Sequence, residues 1–130
     1  FALNFDTAYF VARPVFQQML TQPDGGSIIF IGSRPALLAK EGKNSLAYGL
    51  AKSLIFKLAD VLNAEGTSKN VTASVIVPST IDTEANRKAM PDKDFTTWVK
   101  PEDIAESIAF LCSAEGKPLR ETVLKLYNRA

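Results

Sequence analysis

An α/β layer, a parallel sheet with flanking helices, is the fold this sequence predicts, and three observations carry it. Two short apolar runs rich in β-branched residues, SIIFIG (27–32) and VTASVIV (71–77), have the length and composition of strands buried on both faces. Segments with helical apolar spacing precede, separate and follow them. The resulting order, helix, strand, helix, strand, helix, strand, is the alternation that right-handed crossovers turn into a parallel sheet.

Each element has its own signal. Asp6 to Thr21 carries Val11, Val15 and Met19 at a four-residue step, which predicts a helix that Pro14 should kink. Pro23-Asp24-Gly25-Gly26 reads as a turn into the first strand, Ser27 to Gly32. Residues 33–45 read as a Lys-rich loop broken by Pro35 and Gly42. Leu46 to Glu65 is the clearest helix, with Ala47, Ala51, Leu54, Ile55, Leu58 and Leu62 on one stripe and Gly66 as its stop. Val71 to Val77 is the second strand, closed by Pro78. Residues 79–100 are polar and irregular, with one helical turn expected near Thr83 to Ala89; connections this long are often lids or binding loops. Pro101-Glu102-Asp103 opens a further helix with Pro at its first position and acids in its first turn. Its inward residues are Ile104, Ile108 and Leu111, with Cys112 expected beside them in the core and Gly116 closing it. TVLKL (122–126) alternates like a last strand.

The bulk numbers narrow the function. A chain of 130 residues suffices for one domain with a core. A net charge of +1 gives no reason to expect a nucleic-acid or anionic-membrane partner, and no apolar run has membrane-span length. One cysteine excludes an internal disulfide and suits a reducing cytoplasm. The chain opens without Met and without a signal peptide, and is expected to be a piece of a longer one. The lack of histidine rules out Ser-His-Asp and Cys-His chemistry and the usual His-rich metal sites. Any general acid or base must then be Tyr, Lys, Asp, Glu or Cys112.

In a doubly wound sheet, ligands bind beyond the carboxyl ends of the strands. Ser33 lies just past the first strand, Pro78 to Thr83 just past the second, and Tyr48 near the start of the helix between them, so the three places are expected to converge on one crevice. Tyr48 and Lys52, four apart on a helix, share a face. An ammonium beside a phenol favours the phenolate and lowers the tyrosine pKa from about 10. A tyrosine tuned in this way can pass a proton near neutral pH. Blander readings stand beside these. A Tyr and Lys at this spacing suit an exposed helix side, Ser33 a loop start, Asn4 an N-cap or turn, and Thr83 the N-cap of the turn that follows it. Phe95 and Trp98 read as packing within the long loop.

Four stretches resemble a known family in their order: GGSIIFIGS, AYGLAKS, VTASVIVPSTIDT and KPEDIAESIAFLCS. Together they are similar to the second half of a short-chain dehydrogenase/reductase, and the likeness covers nearly the whole chain. The resemblance implies the C-terminal part of a Rossmann-type doubly wound sheet, residues 1–130 forming one partial domain without its Gly-rich cofactor half. It implies hydride transfer between NAD or NADP and a small carbonyl, alcohol or imine-like substrate. Tyr48 would exchange the proton, and Lys52 would lower its pKa and bind the nicotinamide ribose. Ser33 would position substrate, and Asn4 would support a water relay to the lysine. The loop bearing Pro78, Ser79, Ile81 and Thr83 would meet the nicotinamide end. Helices 6–21 and 46–65 would build a homodimer or homotetramer. PSTIDTEANRKAMPDKDFTTW, after AYGLAK, is similar to the dihydropteridine reductase members, which act on quinonoid dihydropterin.

Departures from the pattern are also visible. Ser33 and Tyr48 are 15 positions apart, longer than the family habit, and Pro78-Ser79 stands where the family has Pro-Gly. The Gly-rich turn that seats the pyrophosphate is absent from these residues, and Gly25-Gly26 precedes a strand instead of following one. A second expectation is therefore a non-catalytic Rossmann-type fragment that supports assembly and is inactive without its N-terminal half.

Overall fold

The computed structural model describes residues 5–32, 34 and 46–130, and gives the backbone alone for 46–49, 51 and 52. Its sheet has three parallel strands in the order β1 (Gly26–Ile31), β2 (Val71–Pro78), β3 (Val123–Leu126). The register pairs Gly26 with Val71 through Ile31 with Ile76, and Val75 with Val123 through Pro78 with Leu126. Because β1 and β2 are neighbours and parallel, their carboxyl ends open on the same edge.

Helix α1 (Thr7–Leu20) precedes β1, and α2 (Leu46–Gly66) joins β1 to β2. The short α3 (Glu84–Ala89) and α4 (Pro101–Leu111) lie between β2 and β3. The core forms where α1 and α2 meet one face of the sheet. Strand alternation sends Val71, Ala73, Val75 and Val77 of β2 to that face, where they join Ala12, Phe16, Ile55, Ala59 and Leu62. Burial of such side chains is worth about 1.5–3 kcal/mol for each of the larger ones. It is this packing, more than helix propensity, that holds the long α2 in place.

Several expectations change here. Pro14 sits inside α1 without ending it. Val11 and Val15 point outward, while Ala12 and Phe16 turn to the core, so the four-residue step marks a second, exposed apolar face. β1 is buried less than expected: Ile31 and Ser27 are exposed, since among the described residues no strand lies on its outer edge. The left-handed stop after α2 is Asn70, at φ 58°, after a 3₁₀ turn over Thr67–Lys69. Gly66 is needed for space instead, because a Cβ there would fall 2.8 Å from the Val71 carbonyl oxygen. Cys112 is exposed at the end of α4, one step around the helix from buried Leu111, so it is not a core residue. α4 itself ends at Leu111, and Gly116 lies in the turns beyond it.

Candidate functional site

The carboxyl ends of β1 and β2 are built almost entirely from backbone ties. The Gly32 amide donates to the Ile76 carbonyl at 2.7 Å and carries the β1–β2 ladder to the last residue before Ser33. Beyond Pro78 the chain leaves the sheet but remains tethered. The Ser79 amide donates to the Leu126 carbonyl at 3.0 Å, and its hydroxyl donates to the Tyr127 carbonyl at 2.9 Å. Ile81 then forms a parallel bridge with Val99: the Val99 amide reaches the Thr80 carbonyl at 2.9 Å and the Asp82 amide reaches the Val99 carbonyl at 2.7 Å. The carbonyl of Ile81 points the other way and accepts the Asn86 side-chain amide at 2.8 Å. On that same side the Ile81 N–H meets no acceptor among the described residues.

Thr83 is the N-cap of α3, with extended backbone and its hydroxyl oxygen accepting the Asn86 amide at 3.1 Å. This satisfies an orphan helix donor. The hydroxyl hydrogen is left to donate elsewhere. The two readings of Thr83 are therefore compatible.

Spacing alone did not point to the pair that follows. Asp82 and Arg87 form a forked ion pair, Nε to Oδ1 at 2.6 Å and Nη2 to Oδ2 at 2.8 Å, across α3. The Arg87 guanidinium lies 4.7 Å from the Phe95 ring centroid, and Phe95 packs at 4.8 Å against Trp98, which is buried. Phe95 and Trp98 are thus packing residues, as expected. The hydrogen bonds from Arg87 hold the Asp82 carboxyl below the usual aspartate range, with the charges of Arg87 and Lys100 adding to the effect. The hydroxyl and amide of Thr96 do the same for Asp94, which caps the 3₁₀ turn Phe95–Thr97. Two open hollows flank the ion pair. One, of about 470 Å³, lies against Thr83, Glu84 and Pro101, and the other, of about 560 Å³, against Lys93, Phe95 and Trp98.

Of the residues read from the sequence, Pro78 is the last residue of β2, and Ser79, Ile81 and Thr83 lie on this loop. Tyr48 and Lys52 both fall within α2, one turn apart along its backbone, and their side chains lie outside the described residues. Asn4 and Ser33 lie outside the described residues altogether. Among the described residues no group of His, Cys, Asp and Glu is placed to hold a metal ion, and no helix is long and apolar enough to cross a membrane.

Comparison with known proteins agrees with this architecture. The family model described as short chain dehydrogenase matches residues 1–94. An uncharacterized oxidoreductase of Bacillus subtilis is 33% identical over 134 aligned positions, covering 85% of this chain and 19% of its own length. A dihydropteridine reductase of Dictyostelium discoideum is 27% identical over 124 positions, covering 93% of this chain and 52% of its own. The solved structure of a 4-hydroxyisoleucine dehydrogenase complexed with NADH superposes with a TM-score of 0.83 at 21% identity, over 96% of this chain and 55% of that one. The chain thus spans about half the length, or less, of the proteins it matches.

Proposed function

The chain belongs to the short chain dehydrogenase family, and on that premise we propose that it forms the C-terminal half of an NAD(P)-dependent oxidoreductase domain. The substrate is a small carbonyl or a quinonoid dihydropterin, and the setting is the cytoplasm. The observation that carries this reading is the shared edge: β1 and β2 are adjacent and parallel, so Gly32, which precedes Ser33 in the sequence, and the loop from Ser79 to Thr83 lie at the same end of the sheet.

The loop after β2 fits a nicotinamide. The free Ile81 N–H and the Thr83 hydroxyl hydrogen are donors suited to a carboxamide, and the Ile81–Val99 bridge fixes the backbone that bears them. The cofactor supplies hydride when bound. Tyr48 then gives its phenolic proton to the substrate oxygen or nitrogen and is left as the phenolate. Lys52, one turn on, stabilises that phenolate by charge and so brings the proton transfer into the neutral range. Ser33 donates to the reacting atom and orients it, while Asn4 supports the route by which Lys52 and Tyr48 recover a proton. The turn that seats the pyrophosphate belongs to the N-terminal half, so residues 1–130 alone are expected to bind cofactor weakly and not to turn over.

The second apolar face of α1, with Phe10 67% and Val11 62% exposed, and exposed Leu50 and Val61 on α2 support assembly through these two helices as a homodimer or homotetramer.

The test is NAD(P)H oxidation by the full-length protein, both halves of the domain together, with quinonoid dihydropterin and with a simple ketone. Tyr48→Phe should lower kcat by about 10²–10⁴-fold, the span that general acid catalysis contributes. A Tyr48→Phe enzyme at the wild-type rate would overturn the assignment. Equal rates on the two substrates would remove the dihydropterin reading and leave the reductase.

A further inference from the structure

We propose that Tyr127–Ala130 is a positioning strap that ties Arg34, two residues beyond the last tie of β1, to the loop after β2, with Asn128 as its central residue. The proposal rests on the reading of the carboxyl ends of β1 and β2 as the site of the reductase.

These residues follow β3 directly, yet they spend their polar groups on segments far away in sequence. Asn128 adopts the left-handed conformation at φ 50°, which asparagine tolerates better than most residues. Its side-chain amide donates to the Trp98 carbonyl at 2.8 Å and to the Thr96 carbonyl at 3.4 Å. The Arg129 amide takes the Thr97 carbonyl between them at 3.3 Å. The Thr96 and Thr97 carbonyls, which the 3₁₀ turn leaves without helical partners, and the Trp98 carbonyl just after it are thus all satisfied by two adjacent residues. The Tyr127 carbonyl takes the Ser79 hydroxyl, and the Ala130 amide closes a turn onto the same carbonyl at 3.0 Å. At the other end, the Arg34 guanidinium stacks 4.7 Å from the Tyr127 ring centroid and donates to the Ala130 carbonyl at 2.8 Å. Arg34 immediately follows Ser33.

The ties form a chain of cause. Asn128 fixes Trp98, whose neighbour Val99 bridges Ile81, and Ile81 carries the free N–H proposed to face the cofactor. Arg34, which follows Ser33 in the sequence, rests on the same anchor. The strap touches no reacting atom in this scheme, so its members are positioning residues.

Asn128→Gly isolates the side-chain bonds, because glycine accepts φ 50° without strain. In the full chain, hydrogen exchange of the Asp82 and Val99 amides should quicken by about fivefold, the weight of an ordinary hydrogen bond, while the Val75 amide within β2 keeps its wild-type rate. If the site-competent loop is depopulated by that factor, KM for the substrate should rise about fivefold with kcat unchanged. Arg34→Ala should produce the same KM shift from the opposite end. Unchanged exchange at Asp82 and Val99 would overturn the strap, and so would faster exchange with an unmoved KM. Tyr48→Phe measured in parallel separates the two levels. If it keeps the wild-type rate, the reading of the site has failed and the exchange data alone decide the strap.

Discussion

Asn63 is the residue whose replacement the structure predicts most sharply. It lies within α2, 3% exposed, and its side-chain amide makes a reciprocal pair of bonds with one residue of β2. Its Nδ2 donates to the Ala73 carbonyl at 2.8 Å, and the Ala73 amide donates to its Oδ1 at 2.9 Å. The geometry explains the need. Two residues on, the Val75 amide is met by the Thr122 carbonyl beside β3, but β3 begins too late to reach Ala73. Asn63 therefore stands in for the missing stretch of strand and locks the helix that bears Tyr48 to the strand that leads to Pro78.

Asn63→Ala would leave both backbone groups of Ala73, a residue 1% exposed, without partners. At about 1–3 kcal/mol for each unsatisfied buried group, and allowing for water entering the space, the loss should be about 2–5 kcal/mol. Urea unfolding followed by circular dichroism measures it. Asn63→Asp sharpens the test. The carboxylate keeps an acceptor for the Ala73 amide but sets a charge against the Ala73 carbonyl, whereas the carboxylic acid can donate to it. Its folded pKa must therefore rise above the unfolded value of about 3.9. The stability this acid contributes is full below the unfolded pKa and is lost as pH rises through the folded one. The deficit of Asn63→Asp against wild type should accordingly shrink on acidification. A loss under about 1 kcal/mol for Asn63→Ala, or a deficit that does not change with pH, would refute the account.

Other substitutions read out the remaining ties. Gly25→Ala should cost about 2–5 kcal/mol in the same urea assay, since Gly25 has φ 68° and a Cβ there would lie 2.0 Å from the Asn70 carbonyl oxygen. Tyr127→Phe should raise stability by about 1 kcal/mol, because the buried Tyr127 hydroxyl has no partner among the described residues; thermal unfolding checks the sign, and KM should hold because the ring stays under Arg34. Asp82 is held below the ordinary aspartate value of 3.8 chiefly by its hydrogen bonds from Arg87, so its pair with Arg87 is intact above that pH and lost only as pH falls through the depressed value. A carboxyl-carbon NMR titration should place its midpoint lower in wild type than in Arg87→Gln, and coincident midpoints would count against the pair.

The fold was legible because its signals are local. Glycines and Pro78 bracket the two apolar runs, and Pro101 with two acids marks the start of α4. The same local rules misplace residues whose role depends on a distant neighbour. Asn63 continues the four-residue step of Ile55 and Ala59, and nothing local says what a polar residue does there until β3 is seen to begin at Val123. Cys112 looks like core because it adjoins Leu111, but one step around the helix turns it to the exposed side. Asn70 takes the left-handed position expected of Gly66 because a 3₁₀ turn intervenes. At the site, Ser79, Ile81 and Thr83 were legible as a loop after a strand, whose last paired residue is Pro78 itself. The assignment of Tyr48, Lys52, Ser33 and Asn4 came from resemblance and stays a proposal. The Asp82–Arg87 fork was not legible, since a spacing of five is not a helical pairing distance, nor was a strap whose contacts span 30 to 96 positions.

These ties divide the loop after β2 into two tiers with different physics. Residues 79–83 and 96–99 are held to one another by backbone bonds, and to the chain beyond β3 by backbone bonds together with the Ser79 hydroxyl and the Asn128 side chain. The backbone bonds among them are indifferent to side-chain identity, so this tier suits a surface that must meet a common cofactor. Residues 84–95 are mostly exposed and are held by two caps and by the Asp82–Arg87 fork, whose arginine is 51% exposed. An ion pair so open to water contributes little to global stability. It can still govern how α3 sits, because it joins one tier to the other as a charged pair, alongside the neutral Asn86–Ile81 bond. Arg87→Gln should therefore speed amide exchange in 84–95 and shift preference among substrates, while the Asp82 and Val99 amides keep their wild-type exchange. Asn128→Gly should do the reverse to those amides. If the two variants gave the same exchange pattern, the loop would be moving as one body and the division would be wrong.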